Sequence, residues 1–303
     1  MRVAVTGAAG LLGRATVPLL AEQGHEVLAL GRAAARLAER VGSGAGCRAT
    51  AYEGDDLREA LEGCGAVVHL AGRRGAAVEE GLVPFVEPNL VLTERVLRCA
   101  AAAGVEVACL ASSISVYSAG NDLPFAESQE ALPASAYGLS KLATEHLGRQ
   151  WGAATGGRAV SLRLASLVGA GDETARDRML ATFLDRARRG EPLVLWGEGG
   201  GGRDLLYVRD AARAVVAALD PSAPGGALNI GSGRPHAFRE VAATVNAVHA
   251  NPGGLRFDRS RREDQSVAFM DCRRAEEQLG WTPRWTLRSA LEDMRDRGDL
   301  AHG

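Results

Sequence analysis

Short apolar runs alternate with longer segments of helical periodicity from residue 2 to residue 230. The run Arg2–Val5 leads into a glycine turn and then into the helical pattern Leu11–Gln23, which Gly24 ends. Strands that alternate with helices form a parallel sheet with right-handed crossovers, so the pattern predicts a Rossmann-type, doubly wound α/β fold. The further predicted strands of this part are Glu26–Leu30, Ala66–Leu70, Val105–Leu110, Val160–Ala165, Asp204–Val208 and Ala227–Ile230.

The predicted helices are longer than the predicted strands, and one of them is Arg-rich. The pattern Val83–Ala103 stops at Gly104, Thr174–Arg189 is amphipathic, and Asp210–Leu219 lies between two predicted strands. From Gly231 onward the sequence predicts a helix, an Arg-rich loop at Arg256–Arg262 and a final helical segment. The expected division is a dinucleotide-binding domain at 1–168 plus about 204–231, and a smaller C-terminal α/β substrate-binding domain at about 169–203 plus 232–303.

Composition and charge fit a water-soluble globular protein. The chain has 303 residues, 46% of them hydrophobic, and its net charge of -2 gives no electrostatic reason to expect nucleic acid or an anionic membrane as a partner. The five cysteines are scattered without a C-x-x-C spacing, which predicts neither a disulfide framework nor a metal site. The first strand begins at residue 2, and no apolar run could span a bilayer, so we expect a cytoplasmic protein without a signal peptide.

The glycine turn after the first strand is the first sign of a cofactor. Gly7, Gly10 and Gly13 form G-x-x-G-x-x-G, which lets the chain turn tightly and lets a pyrophosphate approach the helix N-terminus at Leu11 and Leu12. At the first strand-to-helix turn of an alternating pattern, this arrangement predicts dinucleotide binding.

The end of the second strand indicates which dinucleotide binds. NAD-binding domains usually place an acidic residue there to accept the ribose hydroxyl, whereas this chain has Gly31 and Arg32. A guanidinium can pair with a 2′-phosphate, and Arg14 in the first helical turn can help. The sequence therefore favours NADP(H), with NAD(H) as the alternative.

Tyr137 and Lys141 are the candidate acid/base pair. They lie four residues apart, which on a helix places them on one face. A neighbouring ammonium favours phenolate and so moves the pKa of a phenol toward neutrality. Lys141 is also the only lysine among 35 basic residues. The pair predicts proton transfer to or from a carbonyl or hydroxyl oxygen.

Together these residues resemble an extended short-chain dehydrogenase/reductase, specifically the nucleotide-sugar epimerase/dehydratase branch. The similarity runs over nearly the whole chain. The matching segments are Thr6–Gly13, His69–Gly72, Ser112–Ser113 with Val116–Tyr117, Tyr137–Lys141, Arg163, Gly202–Val208, Asn229–Gly233 and Leu279–Pro283.

The resemblance implies a role for each matching position. Tyr137 would exchange the proton, Lys141 would lower its pKa and bind the nicotinamide ribose, and Ser113 would bind the reacting oxygen. Further cofactor contacts are expected from Leu70, Ala71, Gly72 and Ala111, with Asp55 or Asp56 near the adenine. Substrate contacts are expected from Ser112, Ser113, Ser166, Arg203 and Arg261, the two arginines gripping a nucleotide diphosphate and Arg262 being the fallback for Arg261.

Positions 114 and 115 limit the chemistry. Dehydratases that resemble this chain carry Asp-Glu there, and enzymes that epimerise beside the ketone carry Cys, whereas this chain has Ile114 and Ser115. We therefore expect simple hydride transfer: NADPH-dependent reduction of a nucleotide-linked 4-keto-6-deoxy sugar. The alternatives are an NAD-dependent nucleotide-sugar 4-epimerase, a reductase of a non-nucleotide ketone, and a non-catalytic NADP-binding regulator, against which the Tyr-Lys pair argues.

The resemblance also implies a homodimer joined through helices such as Val83–Ala103 and Tyr137–Trp151.

Overall fold

The structure, a computed structural model, describes residues 1–42, 44–74, 81–169 and 178–297. Fourteen strands lie in these ranges, and seven of them form one parallel sheet in the order β11-β6-β5-β4-β1-β2-β3. The strands are β1 (Arg2–Thr6), β2 (Glu26–Gly31), β3 (Gly46–Ala49), β4 (Ala66–His69), β5 (Val107–Ser113), β6 (Arg158–Leu164), β7 (Ser166–Val168), β8 (Leu193–Trp196), β9 (Gly202–Arg203), β10 (Leu205–Tyr207), β11 (Gly226–Ile230), β12 (His236–Ala237), β13 (Leu255–Asp258) and β14 (Val267–Ala268).

Helices cover both faces of the large sheet. Residues in a strand point alternately to opposite faces, so Val3 and Val5 pack into one apolar cluster and Ala4 into the other. This confirms the predicted doubly wound α/β fold. The helices are α1 (Leu11–Glu22), α2 (Ala34–Val41), α3 (Gly54–Leu61), α4 (Val83–Phe85), α5 (Leu92–Ala102), α6 (Ala136–Thr155), α7 (Arg178–Arg188), α8 (Val208–Ala217), α9 (Phe238–Val248), α10 (Arg273–Leu279) and α11 (Leu287–Asp296).

The strand order creates a crevice at one end of the sheet. From β1 the chain proceeds outward through β2 and β3 on one side, and then through β4, β5 and β6 on the other. In open α/β sheets, ligands bind at the carboxyl ends of the strands where the order reverses. Here that point lies between Thr6 and His69, which are paired at the ends of β1 and β4.

One predicted helix is not continuous. The pattern Val83–Ala103 was expected to form a single α-helix, but a π-helical stretch, Val86–Val91, separates α4 from α5. The insertion buries the side chain of Asn89. A π-turn adds a residue to the helical turn, and such turns are frequent at functional sites. Pro88 lies within this stretch, and a proline inside a helical pattern is the sequence signal that marks such a break.

The strands outside the large sheet form three small sheets: β7 with β10, β8 with β13, and β9 between β12 and β14. The predicted loop Arg256–Arg262 is wrong in its first part, because β13 pairs with β8 through Leu255–Asp258. The predicted strand Asp204–Val208 is shortened, because Val208 already begins α8. Of the predicted helix Thr174–Arg189, residues 174–177 lie outside the described residues, and the two-domain division stays a prediction.

Two further findings concern the described residues as a whole. No helix among them is both long and apolar enough to cross a membrane. Within the same ranges, no group of three or more His, Cys, Asp or Glu side chains is arranged to hold a metal ion.

Candidate active site

A cleft of about 610 Å³ opens at the crevice between β1 and β4, and most of the predicted site residues line it. It brings together the glycine turn after β1, the end of β4, the end of β5 and the first two turns of α6. The predicted residues that line it are Gly7, Gly10, Leu11, Leu12, Gly13, Leu70, Gly72, Ala111, Ser112, Ser113, Tyr137, Lys141 and Ser166.

The glycine turn fits the pyrophosphate of a dinucleotide. Gly7 has φ +68°, and a Cβ there would lie 2.5 Å from the backbone nitrogen of Ala71, so the turn packs directly against the chain that follows β4. At Gly10 a Cβ would meet only the Gly7 carbonyl oxygen, at 3.2 Å. The space in front of α1 is therefore open, and its first turn carries no acidic residue. Unpaired amides at such a terminus favour an anion.

Tyr137 is held close to Ser113 by a glycine and a helix cap. Ser135 caps α6 by accepting a hydrogen bond from the Gly138 N–H at 3.0 Å. A Cβ on Gly138 would collide with the carbonyl oxygen of Ser115, so only glycine lets this helical turn rest on the 3-10 turn Ile114–Val116. Ser113 ends β5, and its hydroxyl accepts from the Ser115 N–H at 3.1 Å. The phenol and the hydroxyl consequently face the same part of the cleft.

The protonation of the pair differs from the expectation. Burial raises the pKa of Tyr137, whereas the charge of Arg74 and a hydrogen bond with Ser113 lower it by less. The pKa of the phenol is therefore not moved toward neutrality. Lys141 is buried and donates to the carbonyl oxygen of Ala111 at 2.8 Å. Burial, together with the charge of Arg74, lowers the pKa of Lys141 to about 8. The ammonium is therefore easier to deprotonate than an ordinary lysine.

Arg73 and Arg74 also line the cleft, and sequence reasoning missed them. The buried amide of Asn89 clamps Arg73: its Oδ1 accepts the Arg73 N–H at 2.7 Å, and its Nδ2 donates to the Arg73 carbonyl at 3.0 Å. Asn89 Nδ2 also lies 2.9 Å from the Ser140 hydroxyl on α6. The π-turn thus fixes the segment after β4 against α6. The sequence could have pointed to them, because both arginines follow the carboxyl end of the buried strand β4.

A buried polar network supports the cleft from behind. Arg163 makes a two-point contact with Glu145, from Nε to Oε1 at 3.0 Å and from Nη2 to Oε2 at 2.8 Å. Ser112, which we expected to contact the substrate, donates its hydroxyl to Glu145 at 2.5 Å instead. Arg163 Nη1 also donates to the Tyr117 hydroxyl at 2.6 Å. The network ties α6 to the ends of β5 and β6.

His69 fixes the ends of the two strands that flank the crevice. Its Nδ1 lies 2.7 Å from the Thr6 hydroxyl and its Nε2 lies 3.0 Å from the Thr93 hydroxyl. Burial lowers the pKa of His69 to about 3, so the ring is neutral. Ala71, another predicted cofactor contact, donates its backbone N–H to the same Thr6 hydroxyl at 3.3 Å.

The residues expected at the adenosine end lie beside the cleft and do not line it. Arg32 is exposed directly after β2, and Arg14 is partly buried in the first turn of α1. Asp55 is 87% exposed and pairs with Arg58, whereas Asp56 accepts the Ala51 N–H at 3.2 Å. The structure therefore does not bring either carboxylate into the cleft.

Tyr52, which sequence reasoning also missed, lies between Arg32 and the glycine turn. Its backbone is left-handed, with φ +61°, and its hydroxyl donates to the Leu30 carbonyl at 2.8 Å. Burial raises the pKa of this phenol to about 12, while the Gly7 backbone and the charge of Arg32 act in the opposite direction. The Tyr52 hydroxyl is therefore anchored at the end of β2, the strand that Arg32 directly follows.

A second groove, of about 690 Å³, is lined by Trp196 and residues 262–266, and so by Arg262, the fallback for Arg261. Arg203 and Arg261 do not line it but contact its lining residues Asp264 and Trp196. Arg203 packs over the Phe238 ring and pairs with Asp264 at 2.9 Å. Arg261 is 60% exposed, packs over the Trp196 ring at 5.0 Å and lies 3.6 Å from Asp258. Both arginines already have partners of their own, and neither lines the cleft that holds Tyr137.

Comparisons with known proteins find relatives that are similar over nearly the whole chain. A UDP-glucose 4-epimerase of Corynebacterium glutamicum is 28% identical over 97% of this chain and 94% of its own length. A dTDP-4-dehydro-6-deoxy-D-allose reductase of a Streptomyces species is 29% identical over 96% of this chain and 94% of its own.

Solved structures and a family description lead to the same assignment. The structure of MoeE5 in complex with UDP-glucuronic acid and NAD superposes with a TM-score of 0.83 at 29% identity, covering 98% of this chain and all of that one. Residues 3–231 match the description of the NAD dependent epimerase/dehydratase family. The match covers well over half of the chain and includes every residue that lines the cleft. The chain is therefore a member of the NAD dependent epimerase/dehydratase family, built as an extended short-chain dehydrogenase/reductase.

Proposed function

We propose that this enzyme transfers a hydride at C4 of a nucleotide-linked hexose, and that it is an NADPH-dependent reductase of a 4-keto-6-deoxy sugar. The observation that carries the proposal is the convergence of Ser113, Tyr137 and Lys141 on one cleft with the glycine turn. No carboxylate, thiol or imidazole is among the described residues that line this cleft. Dehydration or epimerisation beside a ketone needs such a group, whereas reduction of a ketone needs one proton donor.

Each side chain then has a limited task. The nicotinamide of a bound cofactor supplies the hydride. Tyr137 donates its proton to the carbonyl oxygen, and Ser113 donates a hydrogen bond to the same oxygen and so holds it in place. Lys141, anchored to the Ala111 carbonyl, supplies positive charge beside the phenolate that remains. Electrostatic support for a developing negative charge is usually the largest contribution to catalysis of this kind.

Arg32 supports the choice of NADPH. Arg32 directly follows β2, at the position where dinucleotide-binding domains usually contact the adenosine ribose. The turn after β2 carries no carboxylate that would repel this phosphate. A charge-assisted contact of this type favours NADPH over NADH.

A 4-epimerase using retained NAD is the second candidate. It needs the same three side chains, since the hydride is removed and returned at one carbon. The 4-epimerase of C. glutamicum, similar over nearly the full length, and the NAD bound to MoeE5 favour this alternative. The two candidates differ in whether the cofactor leaves after each turnover.

We assign the nucleotide diphosphate to the second groove, beside Arg203 and Arg261.

We also propose a homodimer formed through α4, the π-turn and α6, because Val83, Val86 and Leu139 are exposed on these helices. Ultracentrifugation of the Leu139→Glu and Val83→Glu variants tests this part, and unchanged mass in both would argue against it.

The deciding experiment measures cofactor content and preference. We expect the purified protein to carry less than stoichiometric cofactor and to bind NADPH more tightly than NADH. The Arg32→Ala variant should lose about 10- to 100-fold in NADPH affinity, as expected for a hydrogen bond to a charged group. Arg36→Ala removes another exposed arginine four residues further along the chain and should leave this affinity unchanged. Stoichiometric retained NAD, with sugar interconversion in the absence of added cofactor, would establish the epimerase and exclude the reductase.

A further inference from the structure

Arg74 is an exposed residue that lines the same cleft as Tyr137 and Lys141. It follows Arg73, whose backbone N–H and carbonyl are both held by the Asn89 amide. The neighbouring Gly72 is also fixed, because a Cβ there would lie 2.9 Å from Asn89 Oδ1 and 3.5 Å from Lys141 Nζ. The segment that carries Arg74 is thus anchored beside Lys141.

Among the described residues, those that line the cleft around Tyr137 include no anion to balance this charge. On α6, the helix that carries Tyr137, Lys141 is a cation, and the Glu145 carboxylate pairs with Arg163. From α4 comes Phe85, whose ring centroid lies 5.9 Å from that of Tyr137, with Arg73 packed over its other side. The remaining neighbours are uncharged: the hydroxyls of Ser113, Ser115 and Ser166, the Asn89 amide and neutral His69.

Lys141 and Arg74 respond differently to pH. The pKa of Lys141 is lowered to about 8, so its charge is lost as the solution becomes mildly alkaline. A guanidinium stays protonated over the whole accessible range. Lys141 is therefore a cation that titrates near neutrality, and it lines the same cleft as Tyr137, Arg73 and Arg74.

We propose that Arg74 is a catalytic-site residue whose fixed positive charge stabilises the Tyr137 phenolate that proton donation leaves behind. The inference rests on the proposed role of Tyr137 as the proton donor. In that step the O–H bond of Tyr137 breaks, the proton moves to the substrate oxygen, and the electron pair stays on the phenolate. Arg74 and Lys141 then share the stabilisation of this negative charge, a role that the Y-x-x-x-K motif assigns to the lysine alone.

The competing explanation is that Arg74 anchors a phosphate of the substrate or cofactor. Such an anchor would change the affinity for ligands and leave the titration of Tyr137 in the free protein untouched. The two roles are separable because the phenol can be titrated without any ligand.

The experiment is a titration of Tyr137 by ultraviolet difference spectroscopy, with the Tyr137→Phe protein subtracted to remove the other tyrosines. Wild type, Arg74→Ala, Arg74→Lys and Arg73→Ala are compared. Loss of a nearby opposite charge raises a phenol pKa, and for a partly solvated pair we expect about one pH unit in Arg74→Ala. Arg74→Lys should keep the wild-type midpoint, and Arg73→Ala, the neighbouring control, should not move it. An unchanged midpoint in a folded Arg74→Ala protein overturns the proposal.

A kinetic experiment tests the same idea during turnover. Reduction needs the protonated phenol, so kcat falls as pH rises through the pKa of Tyr137. The alkaline limb of the kcat profile should therefore move to higher pH in Arg74→Ala, with a lower kcat at neutral pH and little change in KM. A KM raised at least tenfold with an unmoved limb would identify a phosphate anchor and refute the proposal. Normal turnover by Tyr137→Phe would instead refute the proposed function, while the ligand-free titration would still decide the role of Arg74.

Discussion

The cleft and the second groove hold their functional side chains in different ways. In the cleft, Ser113, Tyr137 and Lys141 extend from the end of a central strand and the start of a long helix, and backbone contacts fix them. At the groove, Arg203 lies on the two-residue strand β9 and Arg261 follows β13, and both contact acids of their own region. The first arrangement is preorganised for chemistry, whereas the second must exchange a partner before it can hold a diphosphate.

This difference indicates where rate and affinity arise. A group that needs no rearrangement can stabilise a transition state at once, so changes in the cleft should lower kcat. Arg203 would give up its contact with Asp264 for a phosphate, so its net contribution is the difference between two charge-assisted contacts. Changes at the groove should mainly raise KM.

The largest expected effect is at Tyr137. The Tyr137→Phe variant keeps the ring against Phe85 but loses the proton, and kcat should fall by about 10³-fold, within the range for general acid catalysis. Cofactor affinity, measured by fluorescence titration, should change less than threefold. A kcat within tenfold of wild type would remove the basis for treating the cleft as the reacting centre.

The next effect is on stability and compares a buried pair with an exposed one. Glu145→Gln leaves the buried Arg163 guanidinium without its counter-charge, so the free energy of unfolding should fall by about 3 kcal/mol. Asp264→Asn breaks the half-exposed pair with Arg203 and should cost less than about 1 kcal/mol. Urea unfolding of both variants measures the contrast, and equal losses would contradict the difference drawn here.

Arg203→Ala should raise KM for a diphosphate-linked keto sugar by about 10- to 50-fold, equivalent to roughly 2 kcal/mol, with kcat nearly unchanged. Arg261→Ala should have a smaller effect, because that side chain is 60% exposed. An unlinked ketone of similar size is the control substrate, and its KM should not respond. A similar rise for both substrates would show that the groove does not recognise the diphosphate.

The smallest effect concerns pH and His69. In the folded protein the pKa of His69 is lowered from 6.5 to about 3. At pH values between these two, the unfolded chain therefore binds more protons than the folded protein. Stability from neutral His69 is therefore complete above pH 6.5 and is lost as pH falls, by about 1 kcal/mol between pH 7 and 5.5. Comparing the urea midpoints of wild type and His69→Gln at both pH values isolates this contribution from that of the carboxylates. Equal pH dependence in the two proteins would show that His69 does not titrate as described.

The regular part of the molecule could be predicted from sequence because its signals are local. A buried strand such as Val3–Val5 and a positive-φ glycine such as Gly7 determine the backbone through their own chemistry. The cleft residues then follow from the rule that carboxyl ends of parallel strands meet at one edge.

The rest depends on contacts between segments distant in sequence. The π-turn at Asn89 exists to satisfy Arg73 and Ser140, which lie 16 and 51 residues away. The resemblance implied a substrate contact for Ser112, but its hydroxyl donates to Glu145, which lies 33 residues further along the chain. The strand at Leu255–Asp258 was missed because it contains Arg256 and Asp258, although a short edge strand tolerates charge.

The presence of a single lysine gives this protein an unusual chemical handle. Its only ε-amine lies inside the cleft and has a pKa of about 8, so a larger fraction than usual is the free, nucleophilic base near neutrality. An acylating reagent small enough to enter should modify the chain only at this side chain and at the α-amine. Peptide mass spectrometry after such labelling therefore reports cleft occupancy directly, and a bound ligand should slow modification of one peptide and leave the terminal one unaffected.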